Sequence, residues 1–224
     1  LDGYTAAEAV PYASMPPLEQ YILHRLSEPH GHVARGVETQ NLVGVYPALH
    51  GFCTTDLSAF YFDIRKDAIY CDDTSDLTRR SARTVLDVLH RALCTWLAPV
   101  LVFTAEEAWQ DRFGIEGSVH LEQFFEPDGE WHNAELGAKW DDIRAYRRLV
   151  TTELETARRD GTIGSSLEAS VTLPMSQEEA EQFGLVDWAE LLITSCAEIE
   201  LLPGETPHGG LQVERAPGGK CARC

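Results

Sequence analysis

Apolar residues recur every three to four positions along most of the first 160 residues, and this spacing constrains the fold more than any other feature of the sequence. Side chains three or four apart share one face of a helix, so the spacing predicts amphipathic helices. The clearest example runs from Leu77 to Leu97, where Val85, Leu89 and Leu93 lie on one stripe. We therefore expect a mainly α protein built around a helical bundle.

Two further helices are predicted before this one. The first begins at Pro16-Pro17, because proline suits the first turn of a helix, and has Leu18, Ile22 and Leu26 on one face. Pro29 and Gly31 are expected to kink or end it. The second spans about residues 42–67.

Two more helices are predicted after Leu97. A short one is expected to start with a capping box formed by Thr104 and Glu107. A long one is predicted over about residues 139–160, ending at Gly161, since glycine readily adopts the conformation that closes a helix.

The pattern changes after Gly164, where alternating residues predict strands at 168–174, 197–203 and 211–216. A capping box, Ser176 with Glu179, predicts a short helix between the first two strands. These features divide the chain into a linker (1–15), a helical bundle (16–164) and a small α+β subdomain (165–216), followed by a cysteine-containing end (217–224).

The sequence excludes several function classes. It contains no phosphate-binding P-loop, no dinucleotide-binding glycine motif and no HExxH zinc motif. No apolar run approaches the roughly 20 residues that span a bilayer, so we expect no membrane association. Single cysteines among apolar residues suit a reducing compartment, so a cytoplasmic location is expected.

Positive charge is concentrated in two segments of a strongly acidic chain. The formal net charge is −18, yet segments 63–91 and 139–159 contain 12 of the 18 Lys and Arg residues and only 10 of the 36 acidic residues. Guanidinium groups bind phosphate oxygens in pairs, so these segments are candidate phosphate-binding surfaces. The alternative is ordinary surface helix held by salt bridges. The candidates are Arg65, Lys66, Arg79, Arg80, Arg83, Arg144, Arg147 and Arg148.

Cys221 and Cys224 form the one cysteine pair with metal-ligand spacing. A structural zinc site uses four ligands, usually two such pairs, and the sequence has only one pair. We interpret the pair as half of a zinc site, against the alternative of an inert tail.

Three stretches closely resemble the anticodon-binding domain of isoleucyl-tRNA synthetases. They are "CTTDLSAFYFDIRKDAIYCD" (53–72), "RRSARTVLDVLHRAL" (79–93) and "LAPVLVFTAEEAWQ" (97–110). "LEQYILHRL" (18–26) resembles the opening helix of that domain and "GTIGSSLEASVTL" (161–173) its link to the C-terminal region. The resemblance covers roughly residues 12–173, and "GGKCARC" is similar to the first half of the family's C-terminal zinc knuckle.

The resemblance implies a class I synthetase helix bundle followed by a small α+β subdomain, recognising the anticodon stem-loop of isoleucine tRNA. It also implies that the longer enzyme charges this tRNA using ATP and magnesium in a catalytic domain outside this chain, and that it holds zinc. This chain itself is then non-catalytic, and we expect a monomer that ends after the second of four zinc-binding cysteines. The alternatives are a helical protein-interaction module and the equivalent piece of the valine enzyme.

Overall fold

A computed structural model describes residues 1–184, 186–202 and 210–219, and it is mainly helical with one small sheet. The chain forms two compact units, Leu1–Ala134 and Glu135–Cys224. The first contains α1 (Pro17–Glu38), α2 (Val45–Gly51), a π-helical segment (Phe52–Phe62), α3 (Asp63–Cys71), α4 (Leu77–Leu97) and α5 (Val102–Phe113). Next come α6 (Ala134–Arg159), β1 (Ala169–Met175), α7 (Gln177–Phe183), α8 (Trp188–Leu192), β2 (Cys196–Leu201) and β3 (Gln212–Arg215).

Helix α1 is continuous, so the prediction that Pro29 and Gly31 end it is wrong. Proline lacks the backbone N–H that a helix interior uses and normally costs about 3 kcal/mol there. Here tertiary packing compensates for that loss. Pro29 is itself buried, as are Leu26 and Val33 on either side of it, and the His30 ring stacks on Trp96 of α4 with a centroid separation of 5.9 Å.

The second predicted helix is present as α2, the π-helical segment and α3 in direct succession. In a π-helix each hydrogen bond closes over five residues instead of four. The burial follows that spacing, because Phe52 and Leu57 are buried five residues apart, as are Asp56 and Tyr61. The helix was therefore predicted correctly and its pitch was not.

A buried ion pair joins the beginning of α1 to α3. Arg65 donates from Nε to Glu19 Oε1 at 2.6 Å and from Nη2 to Glu19 Oε2 at 3.0 Å. Both residues are almost completely enclosed, at 3% and 0% exposure. Tyr61 donates its hydroxyl to Glu19 Oε1 at 3.2 Å. Desolvation and the nearby Glu19 carboxylate raise the pKa of Tyr61 well above its usual value, so the hydroxyl keeps its proton.

Helix α4 has the predicted bounds, Leu77–Leu97, and Asp76 caps its start by accepting the N–H of Arg79. The capping box predicted at Thr104 is wrong, since α5 already begins at Val102. The end of α5 at Gly114 has φ +90°, a conformation that favours glycine.

Residues 1–15 pack closely on α4. Tyr4, Val10 and Met15 are buried, and the Val10 N–H donates to Thr84 Oγ1 at 3.1 Å. The sequence suggested a linker because this segment has no regular period. Its short 3₁₀ turns, Ala6–Glu8 and Tyr12–Ser14, give irregular burial that no periodicity analysis detects.

The second unit is an α+β arrangement built on β1. The strand order is β2-β1-β3, with β1 and β2 parallel and β1 and β3 antiparallel. Helix α6 buries Trp140, Ile143 and Tyr146, and Tyr146 donates its hydroxyl to the Pro174 carbonyl at 2.8 Å. The predicted capping box of Ser176 and Glu179 is present at the start of α7.

The predicted boundary at residue 164 differs from the division seen in the structure, which falls at 134/135 and groups α6 with the sheet. The aromatic side chains explain this grouping. Tyr146 of α6 lies 5.3 Å from Trp188 and 6.0 Å from Phe183, ring centroid to ring centroid. Among the residues that the structure describes, no helix is both long and apolar enough to cross a membrane.

The buried ion pair gives a stability prediction. Glu19→Leu or Arg65→Met leaves one charge buried without its counterion, so each should lower the free energy of unfolding by about 3–5 kcal/mol. The double variant should lose less than either single variant, because it leaves neither charge buried. Urea unfolding followed by circular dichroism measures all three.

Lys66→Gln is the matched control, since the Lys66–Asp63 pair is exposed on the same helix and should contribute no more than about 1 kcal/mol. If the double variant lost as much unfolding free energy as the two single variants together, this account of the ion pair would be contradicted.

Replacement of two glycines of α1 by alanine should change the stability of the protein in opposite directions. A Cβ at Gly36 would overlap Val45 Cγ2 and lie 3.1 Å from the Asn41 carbonyl oxygen, whereas a Cβ at Gly31 meets nothing within 4 Å. Gly36→Ala should therefore destabilise by about 1–3 kcal/mol through overpacking. Gly31→Ala should stabilise by about 0.5–1 kcal/mol through helix propensity. Thermal unfolding of both variants tests the packing, and equal melting temperatures would contradict it.

Candidate nucleic-acid interface

The end of α3 and the start of α4 bring together part of the predicted basic group. Arg79 donates from Nη1 to the Asp72 carbonyl at 2.7 Å, so its guanidinium lies against the turn that follows α3. Lys66 lies on the outer side of α3, with its ammonium 2.8 Å from Asp63 Oδ1. The hydrogen bond to Asp63 raises the pKa of Lys66, so the ammonium keeps its charge at neutral pH.

Arg65 is not part of this surface, although the sequence placed it there. Its guanidinium is enclosed and bound to Glu19 in the interior. It was predicted to be exposed because it lies in the basic segment 63–91 together with Lys66. Neighbouring residues on a helix point about 100° apart, so adjacency does not predict a shared face.

Two other predicted arginines are held by the N-terminal segment. Arg83 donates from Nε to Glu8 Oε2 at 3.0 Å and from Nη2 to the Asp2 carbonyl at 3.0 Å. Arg80 donates from Nε to the Glu8 carbonyl at 3.2 Å. The Arg83 guanidinium also lies 5.6 Å from the centre of the Tyr4 ring. These contacts fix both side chains, and the Glu8 carboxylate neutralises part of the charge of Arg83.

Acidic residues are interspersed with these cations. Asp73 accepts hydrogen bonds from Ser75 N at 2.8 Å and Ser75 Oγ at 2.6 Å, and these bonds lower the pKa of Asp73. Asp63 and Asp67 lie on α3 beside Lys66. The surface formed by the end of α3 and the start of α4 is therefore of mixed charge.

The second predicted group lies on α6, in the other unit. Arg144 lies three residues before Arg147 and four before Arg148, so each of the two is its neighbour on the helix surface. Arg148 is exposed, and Arg144 and Arg147 are half-buried. Arg147 donates from Nε to the Leu191 carbonyl at 2.9 Å, which ties α6 to α8.

The predicted zinc ligands Cys221 and Cys224 lie outside the described residues. Within the described part of the chain, no group of three or more histidine, cysteine, aspartate or glutamate side chains could hold a metal ion.

Sequence reasoning missed two exposed aromatic residues beside Lys66. Phe62 and Tyr70 lie four residues before and four residues after it, at 38% and 84% exposure. The available signal was their spacing of four, which places all three residues on one helical face away from the apolar stripe.

Comparison with known proteins identifies the family. A family model described as the anticodon-binding domain of tRNA ligase matches residues 19–173. The isoleucine–tRNA ligase of Gluconobacter oxydans is 80% identical over all 224 residues of the chain, which align with 23% of that protein. The isoleucine–tRNA ligases of Zymomonas mobilis and Rhodopseudomonas palustris are each 44% identical over the whole chain, which aligns with 24% of each.

The chain thus spans about a quarter of the length of the curated relatives it matches. The family model covers more than half of the chain and includes α1 from Glu19 onward and all of α2 to α5, among them the helices that hold Lys66 and Arg79. The predicted mainly α fold with a small α+β part is confirmed. The chain belongs to the anticodon-binding domain family of tRNA ligases.

Proposed function

We propose that this chain binds the anticodon stem-loop of an isoleucine tRNA within a protein that attaches isoleucine to that tRNA. The observation that carries the proposal is the match of residues 19–173 to the anticodon-binding domain family. The names of the relatives supply the amino acid, since the three described above are isoleucine–tRNA ligases. Binding here would add tRNA contacts remote from the reacting groups, which an enzyme can use to favour its correct substrate.

The phosphate contacts are assigned first to the surface at the end of α3 and the start of α4. Lys66 is its most accessible cation, with a side chain 47% exposed. Arg79 is fixed at the adjoining turn and presents a planar donor group next to it. Arg80 and Arg83 complete the group, and their contacts with residues 1–10 hold them in place.

Arg144, Arg147 and Arg148 on α6 form the second proposed group. Arg148 is the exposed member, and the hydrogen bond of Arg147 to the Leu191 carbonyl fixes the helix surface on which they lie. Arg65 makes no RNA contact in this proposal. Its ion pair with Glu19 sets the orientation of α3 and thereby positions the exposed residues of that helix.

Catalysis is assigned to parts of the longer protein outside these residues. There ATP and magnesium would serve the attachment of isoleucine. Cys221 and Cys224 would supply two thiolates, half of the four ligands of a structural zinc site. The sequence contains one such cysteine pair, so zinc is proposed only for a protein that supplies two further ligands. A monomer in the cytoplasm remains the proposed state.

Phosphate contacts should appear in the salt dependence of RNA binding. We expect the chain to bind the anticodon stem-loop of an isoleucine tRNA saturably and to prefer it over a stem-loop with a swapped anticodon. Arg79→Gln should weaken binding to both RNAs alike and reduce the slope of log K against log salt by about 1, because one phosphate contact is lost. Fluorescence anisotropy titration at several salt concentrations measures affinity and slope together.

The matched control is Arg91→Gln, which removes a partly exposed arginine from the same helix, outside the proposed surface. Its affinity and slope should equal those of the unsubstituted chain. A helical module that binds only proteins would show no saturable, salt-dependent binding to either RNA, and that result would refute the proposal.

A further inference from the structure

A regular stripe of three side chains, Phe62, Lys66 and Tyr70, each four residues from the next, runs from the last residue of the π-helical segment along the outer face of α3. One helical turn separates neighbours, so their side chains lie one above another along the helix. At about 1.5 Å of rise per residue, Phe62 and Tyr70 are separated by roughly 12 Å. Bases along a strand are about 3.4 Å apart, so the two rings would contact different bases.

The two rings of this aromatic stripe differ in how firmly they are held. The centroid of the Phe62 ring lies 5.8 Å from that of the buried Tyr61, so Phe62 packs against one ring of the interior. Tyr70 is 84% exposed near the end of α3, beside the turn to which Arg79 is bound. An exposed aromatic side chain has apolar faces in contact with water, and a flat π-surface placed against it would cover them.

The charges around the stripe favour bases over phosphates. Asp63 and Asp67 flank Lys66 on α3, so Lys66 is the one cation of these three residues and can make at most a single phosphate contact. Bases are uncharged. Their exocyclic amino groups donate hydrogen bonds that carboxylates can accept. The stripe therefore combines stacking surfaces, acceptors for base edges and a single cation.

We propose that Phe62 and Tyr70 are the base-stacking platform of this domain, each stacking on an unpaired base of the RNA loop, with Lys66 between them contacting the loop backbone. The occupant is single-stranded RNA, and this assignment rests on the proposed anticodon function. In that arrangement Arg79 and its neighbours hold phosphates at the end of α3, and the stripe holds the loop bases.

One exposed aromatic residue outside the stripe lacks this setting. Phe103, at 88% exposure, follows the exposed apolar residues Val100, Leu101 and Val102 at the start of α5. This run contains no cation and no carboxylate. Phe103 is consequently a good control, because it matches Tyr70 in exposure and differs in its neighbours.

The test compares single substitutions in the 224-residue chain, using the labelled anticodon stem-loop of an isoleucine tRNA as the probe. Tyr70→Ala should weaken binding by about 5- to 150-fold, the range expected when one stacked base loses its platform. The salt slope should stay unchanged, since stacking releases no counterions. Tyr70→Phe should keep the affinity within about twofold, because the ring and not the hydroxyl makes the contact.

Two further variants separate the parts of the stripe. Phe62→Leu keeps an apolar side chain against Tyr61 but removes the ring, and it should also weaken binding about fivefold or more. Lys66→Gln should lower the salt slope by about 1. Phe103→Ala should bind like the unsubstituted chain. Thermal unfolding of each variant confirms that the exposed substitutions leave the fold intact.

The outcomes distinguish this inference from the function on which it rests. If the unsubstituted chain binds the probe and Tyr70→Ala binds as tightly as Phe103→Ala, the stacking platform is overturned and the proposed function stands. If Tyr70→Ala weakens binding and a lower salt slope accounts for the whole loss, the lost contact is a phosphate contact, and the stacking mechanism is overturned as well. If the unsubstituted chain shows no saturable binding, the proposed function and the platform both fail.

Discussion

The ion pair between Glu19 and Arg65 connects the interior of the first unit to its outer surface. A buried charge is tolerated only when its partner and its hydrogen bonds are in place, so α1 and α3 have one favourable alignment. That alignment also decides which side of α3 faces solvent. With Arg65, Ile64 and Ala68 directed inward, the positions of Lys66 and Tyr70 are directed outward. The pair need not add much net stability to have this effect, because an apolar pair would not define one alignment as narrowly.

For the proposed RNA binding, the availability of the cations matters more than their number. The sequence clusters Arg79, Arg80 and Arg83 near Lys66, but Glu8, Asp2 and the Asp72 carbonyl already engage the three arginines. Such contacts fix a guanidinium in one orientation and leave its remaining donors for a phosphate. They also weaken the positive electrostatic potential at this surface. In a chain of net charge −18, this arrangement suits a loop docked at a defined position better than non-specific binding along RNA.

The features that the sequence predicted well are those encoded locally. Helix α4 has the predicted bounds because its apolar period and its cap at Asp76 agree. The capping box at Ser176 was found because both partners lie within four residues. The errors come from contacts distant in sequence: packing around Pro29 keeps α1 continuous, and Thr84, about 75 residues away, binds the N-terminal segment. For the candidate interface, the sequence indicated Lys66 and Arg79 but could not show that Glu19 withdraws Arg65.

The π-helical segment sets which side of α3 faces the interior. If the helix continued from Leu49 at about 100° per residue, Asp63 and Asp67 would point within about 40° of the core direction and Arg65 about 160° away from it. An ordinary α-helix would thus bury two aspartates and expose Arg65. Each π-helical turn between Phe52 and Phe62 contains more residues than an α-helical turn, so each residue rotates by less than about 100°. When α3 begins, the positions that face the interior therefore differ from those of a continuous α-helix. Arg65 then faces Glu19, and Asp67 and Lys66 face solvent. The unusual pitch is therefore what allows the ion pair between Arg65 and Glu19 to form.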